Sequence, residues 1–140
     1  MKMPDKLDDE LRIALMRIAR RIRQQRHDDT LSDTQLSVLY LLTNHGASTL
    51  AALADHEHVT PPSMNRTVNC LDDEGLITRT SSPDDGRKVL ITATDTGSDL
   101  VAKTRERRAA WFLAELSTLE PEERAALQAA VPVLLKLANS

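Results

Sequence analysis

Apolar side chains recur every three or four residues near the start of the chain, which is the period of one face of an α-helix. This stripe consists of Leu7, Leu11, Ala14, Leu15, Ile18 and Ile22. Polar and charged residues fill most of the positions between them, so we predict an amphipathic first helix. A long helix with one apolar stripe needs a partner surface, because an isolated helix is only marginally stable in water.

The second predicted helix has a clear start and a clear end. Ser32 and Gln35 have the spacing of a capping box. Leu31 and Leu36 flank this box as a hydrophobic staple, and Gly46 is a typical helix-ending residue. We predict that the interior side of this helix carries Leu36, Leu39, Tyr40 and Leu42. A short third helix, over about residues 49–57, follows with Leu50, Leu53 and Ala54 as its apolar positions.

A fourth helix is predicted to have one apolar and one polar side. Thr60 can accept bonds from the free N–H groups of the first turn, where Pro61 is tolerated. At about 100° per residue, one side forms a narrow apolar stripe of Met64, Val68, Leu71 and Gly75. The opposite side carries Pro62, Asn65, Arg66 and Asn69, with Ser63, Thr67 and Cys70 on its flanks. These hydrogen-bonding groups suit base edges and phosphates.

The two ends of this helix differ in charge. Asp72, Asp73 and Glu74 crowd its last turn, where the helix dipole disfavours acids and a phosphate would be repelled. The N-terminal half is therefore the end that we expect to approach DNA. Gly75 then supplies the left-handed residue that commonly closes a helix.

Two short runs rich in β-branched residues, 77–80 and 88–94, flank a turn and predict a β-hairpin. Arg87 and Lys88 lie at its tip, from which they can reach a minor groove or phosphates. Asp85 is placed to fix the guanidinium of Arg87 by a charge-assisted bond. A solvated hairpin with a surface ion pair is the alternative interpretation of this tip, and the neighbouring polar-faced helix favours DNA binding.

The rest of the chain predicts an arm of two helices. Gly97 and Ser98 are expected to open the fifth helix and Pro121 the sixth, which Pro132 should kink or interrupt. Their apolar positions include Leu100, Val101, Trp111, Phe112, Leu116, Leu127, Val131, Leu134, Leu135 and Ala138. A monomer would expose much of this surface, so we expect the arm to pack on the first helix and on a second copy, giving a homodimer.

Composition and charge limit the classes of binding partner that the chain can have. The chain has 140 residues and 41% hydrophobic side chains, enough for one cored domain, and its 2% aromatic content disfavours stacking on single-stranded bases. The net charge of −3 argues against indiscriminate binding to polyanions. Five arginines nevertheless lie together, Arg17, Arg20, Arg21, Arg23 and Arg26. They are interpreted either as a solvated helix face or as partners in intersubunit salt bridges, or else as a phosphate-contacting patch.

Other chemistry finds little support in the sequence. A single cysteine, Cys70, excludes an internal disulfide, and no apolar leader or bilayer-length run is present, so we expect a soluble cytoplasmic protein without a membrane partner. His56 and His58 lack the spacing that places two imidazoles on one helix face, so no metal site is predicted. No nucleophile elbow or phosphate loop is present, so we predict no catalytic residue, no cofactor and no enzyme. Cys70 is interpreted as a bystander rather than as a thiol switch.

Taken in order, these motifs resemble the MarR family (multiple-antibiotic-resistance regulators) over nearly the whole chain. The segments similar to that family are residues 31–39 at the start of helix two, 59–68 at the recognition helix and 72–77 at the acidic turn. The most specific element is Asp85-Gly86-Arg87, which matches the D-x-R wing tip and is followed by Thr94 and Gly97. Two positions depart from the pattern, Cys70 where a basic residue is common and Ala93 where Leu is common.

The resemblance implies a mainly α fold with a small β-hairpin wing (α+β), that is, a winged helix-turn-helix with N- and C-terminal dimerisation helices. The expected organisation is one domain over 1–140, with a DNA-binding part over 30–96 and dimerisation parts over 5–27 and 97–139. It further implies a cytoplasmic bacterial or archaeal transcription regulator, usually a repressor, that binds a pseudopalindromic operator in double-stranded DNA as a homodimer. A small anionic, commonly phenolic, effector often releases such a protein from DNA.

The resemblance also assigns roles to residues. Those expected to read or grip the major groove are Ser63, Asn65, Arg66, Thr67 and Asn69, while Arg87 would enter the minor groove, held by Asp85. Thr60, Pro62 and Lys88 complete the predicted DNA-binding set. The alternative hypothesis is a winged helix that has lost DNA binding and serves as a protein-interaction module.

Overall fold

The structure, a computed structural model, describes residues 6–26 and 31–140. Its elements in chain order are α1 (Lys6–Gln24), α2 (Asp33–His45), α3 (Leu50–Glu57), α4 (Pro61–Asp73), β1 (Ile77–Ser81), β2 (Val89–Ala93), α5 (Asp95–Ser117) and α6 (Pro121–Ala138). Three helices and a hairpin thus lie between a preceding helix and two following ones, which confirms the predicted mainly α winged helix-turn-helix fold. The predicted domain limits at residues 5, 27 and 30 lie outside the described residues.

The core lies where α2, α3 and α4 meet the base of the hairpin. The largest fully buried side chains are Val38, Leu39, Leu53, Met64, Val68, Leu71 and Ile77. Met64, Val68 and Leu71 are the predicted apolar stripe of α4, so the inward side of that helix is confirmed. Gly75, the fourth predicted member, is exposed because the helix ends before it.

Tyr40 was predicted to lie in the interior of α2, and this is wrong. Its side chain is 46% exposed. The ring lies under the guanidinium of Arg105 of α5, whose central carbon is 5.0 Å from the ring centroid. A tyrosine suits this partly exposed position, since its ring packs against the protein while its hydroxyl is hydrogen-bonded by polar neighbours.

Local capping explains where α2 and α4 begin. At α2 the N–H of Gln35 donates to Ser32 Oγ (3.1 Å) and the N–H of Ser32 donates to Gln35 Oε1 (2.8 Å), which is the predicted capping box. At α4 the N–H of Ser63 donates to Thr60 Oγ1 (3.2 Å), as predicted for the start of this helix.

The end of α4 is fixed by a left-handed glycine. Gly75 has φ 74°, and its N–H donates to the carbonyl of Asp72 (2.9 Å). The N–H of Leu76 donates to the carbonyl of Leu71 (2.9 Å), which completes a Schellman motif. This geometry confirms that Gly75 closes the helix and turns the chain into the hairpin.

The hairpin forms the wing, which here means β1, β2 and the turn between them. The strands pair antiparallel, with Ile77 opposite Ala93 and Ser81 opposite Val89. Outside the hairpin, an isolated antiparallel bridge joins β2 to the loop between α2 and α3, and the sequence pattern did not reveal it. The N–H of Ser48 donates to the carbonyl of Ile91 (3.0 Å) and the N–H of Ile91 donates back to Ser48 (2.8 Å).

The predicted start of α5 at Gly97 and Ser98 is two to three residues late. The helix begins at Asp95 because Thr94 is its N-cap, accepting a bond from the N–H of Gly97 (3.1 Å). Gly97 is buried in the first turn, where a Cβ would lie 2.3 Å from the carbonyl oxygen of Leu76. The glycine therefore permits close approach of α5 to the wing base and does not open the helix.

The sixth helix runs without a break from Pro121 to Ala138, so Pro132 does not interrupt it, and the kink that was the other expected outcome stays a prediction. A proline removes only one N–H from the ladder of helical hydrogen bonds, and the neighbouring bonds continue the helix here. The helix also starts with a capping box that was not predicted, between Glu120 and Glu123. No helix in the described part of the chain combines the length and hydropathy needed to cross a bilayer.

The buried position of Gly97 generates a stability test. Gly97→Ala should lower the free energy of unfolding by about 1–3 kcal/mol or more, because its Cβ would meet backbone rather than a movable side chain. Urea denaturation followed by circular dichroism measures this change. Gly86→Ala is the matched control, since nothing lies within 4 Å of a Cβ at Gly86 and the change should be small. Equal effects of the two substitutions would contradict the assigned contact.

Candidate nucleic-acid interface

The outer side of α4 presents the polar side chains that the sequence placed there. Pro62, Asn65, Arg66 and Asn69 are exposed, while Ser63 and Thr67 on the flanks are half-buried. The apolar stripe on the other side is fully buried. Because a helix is rigid, this burial fixes the direction in which the exposed groups point.

Two flanking hydroxyls are partly engaged within the helix. Thr60 Oγ1 accepts the N–H of Ser63, and Thr67 Oγ1 donates to the carbonyl of Ser63 (3.4 Å). Thr60 keeps a proton to donate, and Thr67 keeps lone pairs to accept. Thr60 can therefore donate to a phosphate, whereas Thr67 can only accept from a donor such as a base amino group.

Asn69 is tied to the wing, which the sequence pattern did not show. The guanidinium of Arg79 in β1 donates to Asn69 Oδ1 through one nitrogen and to Asp72 Oδ2 through the other. The bridge joins the C-terminal half of α4 to the first wing strand and neutralises one of the three acids there. The amide nitrogen of Asn69 and one lone pair of its oxygen stay available for DNA, but the bond to Arg79 restricts how the side chain can turn toward the groove.

At the wing tip, Asp85 organises the backbone rather than the guanidinium of Arg87. Its Oδ1 accepts the main-chain N–H of Arg87 (3.0 Å), and its carbonyl accepts the N–H of Lys88 (3.0 Å). A carboxylate reaches the amide two residues on more easily than the end of a long side chain, which is the geometry of an Asx turn. The predicted Asp85 contact is therefore corrected, and the exposed side chains of Arg87 and Lys88 extend from a fixed turn.

Two members of the arginine run are held within the chain. Arg26 pairs with Asp33 (3.1 Å) and donates to the carbonyl of Leu31 (2.8 Å), which attaches the end of α1 to α2. Arg21 pairs with Glu115 (3.5 Å) and lies 4.9 Å over the ring of Trp111. These two arginines connect α1 to the rest of the protein, and their ion pairs lie within one chain rather than between subunits.

A cleft of about 370 Å³ lies between α1, α2 and α5, and no sequence motif marked it. Its walls include Arg23, Tyr40, Val101, Thr104, Arg105 and Arg108. Thr104 is 4% exposed, and its hydroxyl has no hydrogen-bond partner among the described residues. The buried Nε of Arg108 also has none there. Two unused polar groups beside apolar walls are suited to a small ligand.

The electrostatics of this cleft are basic. Burial, followed by repulsion from Arg26, lowers the pKa of Arg108 from its usual value. Hydrogen bonds from Arg105 and Asn44 lower the pKa of the Tyr40 hydroxyl by stabilising its anionic form. Guanidinium groups at the cleft thus favour negative charge within it.

Comparison with known proteins places this geometry in a family. The model of the MarR family matches residues 31–89, which run from the start of α2 to the first residue of β2. Over 134 residues, the chain is 39% identical to the HTH-type transcriptional regulator Mb0904 of Mycobacterium bovis, with 96% of this chain and 94% of that protein covered. This chain belongs to the MarR family. As a MarR-family member it is a transcription regulator with a DNA-binding winged helix, and it is not an enzyme.

Solved structures of regulators agree with this assignment. One from Pseudomonas aeruginosa has a TM-score of 0.85 and 28% identity, with 96% of each chain covered. BpsR of Bordetella bronchiseptica, whose DNA binding is regulated by 6-hydroxynicotinic acid, has a TM-score of 0.68 and 25% identity, with 100% of this chain and 98% of BpsR covered. Both likenesses extend over the dimerisation helices predicted from the sequence as well as over the winged helix.

Proposed function

We propose that this MarR-family regulator is a cytoplasmic homodimeric repressor that binds a pseudopalindromic operator in double-stranded DNA. The observation that carries the proposal is the two-sided burial of α4. Met64, Val68 and Leu71 are fully buried, while Asn65 and Arg66 are exposed on the other side. The helix therefore holds its polar groups in a fixed direction, as insertion into a major groove requires.

The exposed side chains match the chemistry of base edges. Arg66 can donate two bonds to a guanine, and Asn65 can donate to and accept from an adenine. Ser63 lies on a flank of the same surface, where its hydroxyl can donate to a phosphate. Thr67 lies one turn further along, and its hydroxyl, which already donates to the carbonyl of Ser63, can accept from a base amino group. Pro62 begins this surface near the helix N-terminus, whose partial positive charge also favours a phosphate.

The wing supplies the second contact. Asp85 fixes the turn through the main chain, which leaves the guanidinium of Arg87 free to enter a minor groove. Lys88, next to it, can contact the phosphate backbone. A repressor follows from such a mode of binding if the operator overlaps a promoter, because bound protein then excludes the polymerase.

The first test measures DNA binding against salt concentration. A duplex from the intergenic region beside the gene should bind with an affinity that falls steeply as salt rises, followed by fluorescence anisotropy. Arg66→Ala and Arg87→Ala should each weaken binding about tenfold or more, because each removes a cation from a groove. Lys103→Ala makes the same charge change at an exposed position of α5 and should have little effect. Absence of binding at low salt would favour the protein-interaction module.

Homodimerisation is supported by apolar side chains that one chain leaves uncovered. α1 exposes Met16 (62%), α5 exposes Leu113 (65%) and α6 exposes Val133 (60%). Further exposed members on the same helices are Leu11, Ile13, Leu15, Ile18, Phe112, Leu127, Val131, Leu135 and Leu137. Exposure of this many large apolar side chains on three helices is typical of a subunit interface seen without its partner rather than of a monomer surface.

The second test concerns the dimer. Sedimentation equilibrium should give twice the 15.5 kDa chain mass, and Val133→Asp should shift it toward the monomer because a charge would enter the apolar interface. Ala51→Asp, at an exposed position of α3, is the control and should leave the mass unchanged. A DNase footprint of the wild type should cover two half-sites about 34 Å apart. A footprint on one half-site by a stable monomer would contradict the proposal.

Release from DNA by a small anionic effector is supported by the cleft between α1, α2 and α5. The Thr104 hydroxyl and the Nε of Arg108 offer buried hydrogen-bond donors that the described residues leave unused. Leu36 and Val101 provide apolar walls for a ring or a short chain. The similar BpsR responds to 6-hydroxynicotinic acid, a compact aromatic carboxylate that makes a suitable first probe.

The third test replaces the buried hydroxyl. Thr104→Val should raise the free energy of unfolding of the ligand-free protein by about 1 kcal/mol, because a buried group without a partner is removed at nearly constant shape. It should also weaken release from DNA by 6-hydroxynicotinic acid and related aromatic carboxylates, measured by anisotropy. Thr43→Val, at an exposed position of α2, is the control. A destabilised Thr104→Val variant with an unchanged response would contradict the assigned site.

A further inference from the structure

Thr94 lies where the recognition helix, the wing and α5 meet. Its hydroxyl donates to the carbonyl of Gly75 at the end of α4 (2.8 Å) and accepts the N–H of Gly97 in α5 (3.1 Å). Its own N–H donates to the carbonyl of Leu76 at the wing base (3.0 Å). One residue therefore connects all three elements: its side chain joins the end of α4 to α5, and its main chain bonds the wing base.

The elements around Thr94 are closely packed. α5 approaches the wing base so closely that a Cβ on Gly97 would lie 2.3 Å from the carbonyl oxygen of Leu76. Gly75 has φ 74°, so the carbonyl that accepts the Thr94 hydroxyl belongs to a turn of fixed conformation. Rigid backbone on both sides means that the hydroxyl sets a defined angle between α4, the wing and α5.

The remaining attachments of the wing do not fix this angle alone. Ser48 pairs with Ile91 in the middle of β2, and a single bridge of this kind allows the strand to tilt about it. Arg79 reaches Asn69 and Asp72 through a flexible side chain that is 32% exposed. Thr94 is the attachment at the base, and its hydroxyl is held on both sides by main-chain groups.

We propose that Thr94 is a positioning residue for DNA binding, whose hydroxyl sets the tilt of the wing so that Arg87 reaches the minor groove. This inference rests on the proposed role of the wing. Arg87 lies seven residues from Thr94, or roughly 23 Å along a strand at about 3.3 Å per residue. A tilt of about 5° at the base would move the tip by about 2 Å, which is large beside a groove about 6 Å wide.

The experiment is a double-mutant cycle on operator affinity. Thr94→Val removes the hydroxyl and keeps the shape, and it should weaken binding about tenfold. Thr94→Ser keeps the hydroxyl and should bind as the wild type does. In an Arg87→Ala background, Thr94→Val should cause no further loss, because a misplaced wing no longer matters once its contact is gone. A residue with only a structural role would weaken both backgrounds equally.

The outcomes distinguish failure of the proposed wing contact from failure of the inference on Thr94. If Arg87→Ala alone leaves affinity unchanged, the proposed role of the wing fails, and the inference on Thr94 fails with it. If Arg87→Ala weakens binding but the Thr94→Val loss is additive or absent, only the positioning role is overturned. Circular dichroism and the dimer mass establish that each variant is folded.

A second variant covers the case in which Thr94→Val does not fold. Asn is a good N-cap, so Thr94→Asn should preserve the start of α5. Its amide would not place a donor at the carbonyl of Gly75 as the shorter hydroxyl does. Thr94→Asn is therefore expected to lose affinity only when Arg87 is present, and an equal loss in both backgrounds would again overturn the inference.

Discussion

The burial of one apolar stripe on α4 is the constraint on which the rest of this structure depends. Met64, Val68 and Leu71 are fully buried, and burying each side chain of this size is favourable by roughly 1.5–3 kcal/mol. Rotating the helix to hide Asn65 or Arg66 would expose these side chains at a cost of several such contributions. The polar face is thus held outward by the core, and the bond from Arg79 to Asn69 adds only a local contact at its C-terminal end.

The wing is placed by weaker and more local interactions. The bridge from Arg79 to Asn69 and Asp72 involves partly exposed groups, and ion pairs of that kind contribute only about 0–1 kcal/mol to stability. Such a contact aligns two elements more than it holds the fold together. The bonds of Thr94 and Ser48 to main-chain groups also align neighbouring elements, and they allow less movement than a long side chain does. The angle of the wing therefore depends on few atoms.

Local sequence signals predicted much of the fold, because capping and periodicity are decided within one or two turns. The capping box at Ser32, the N-cap at Thr60 and the glycine after α4 belong to this class. Errors arose where distant residues decide the outcome. Position 97 requires a glycine because the main chain of Leu76 lies against it. Tyr40 lies at the surface because Arg105 gives its ring a packing partner there. The cleft joins residues far apart in the sequence, and the Arg79 bridge spans only seven and ten positions but depends on the angle between α4 and β1, so helical or strand spacing could reveal neither.

The length of α5 gives the cleft a physical route to the wing. Thr104 and Arg108 line the cleft ten and fourteen residues after Thr94, or roughly 15 Å and 21 Å along a helix at about 1.5 Å per residue. A packed helix moves as a unit, so a ligand that shifts α5 would also move the N-cap that holds the wing base. Linkage then requires reciprocity: if the ligand lowers operator affinity by some factor, bound operator lowers ligand affinity by the same factor.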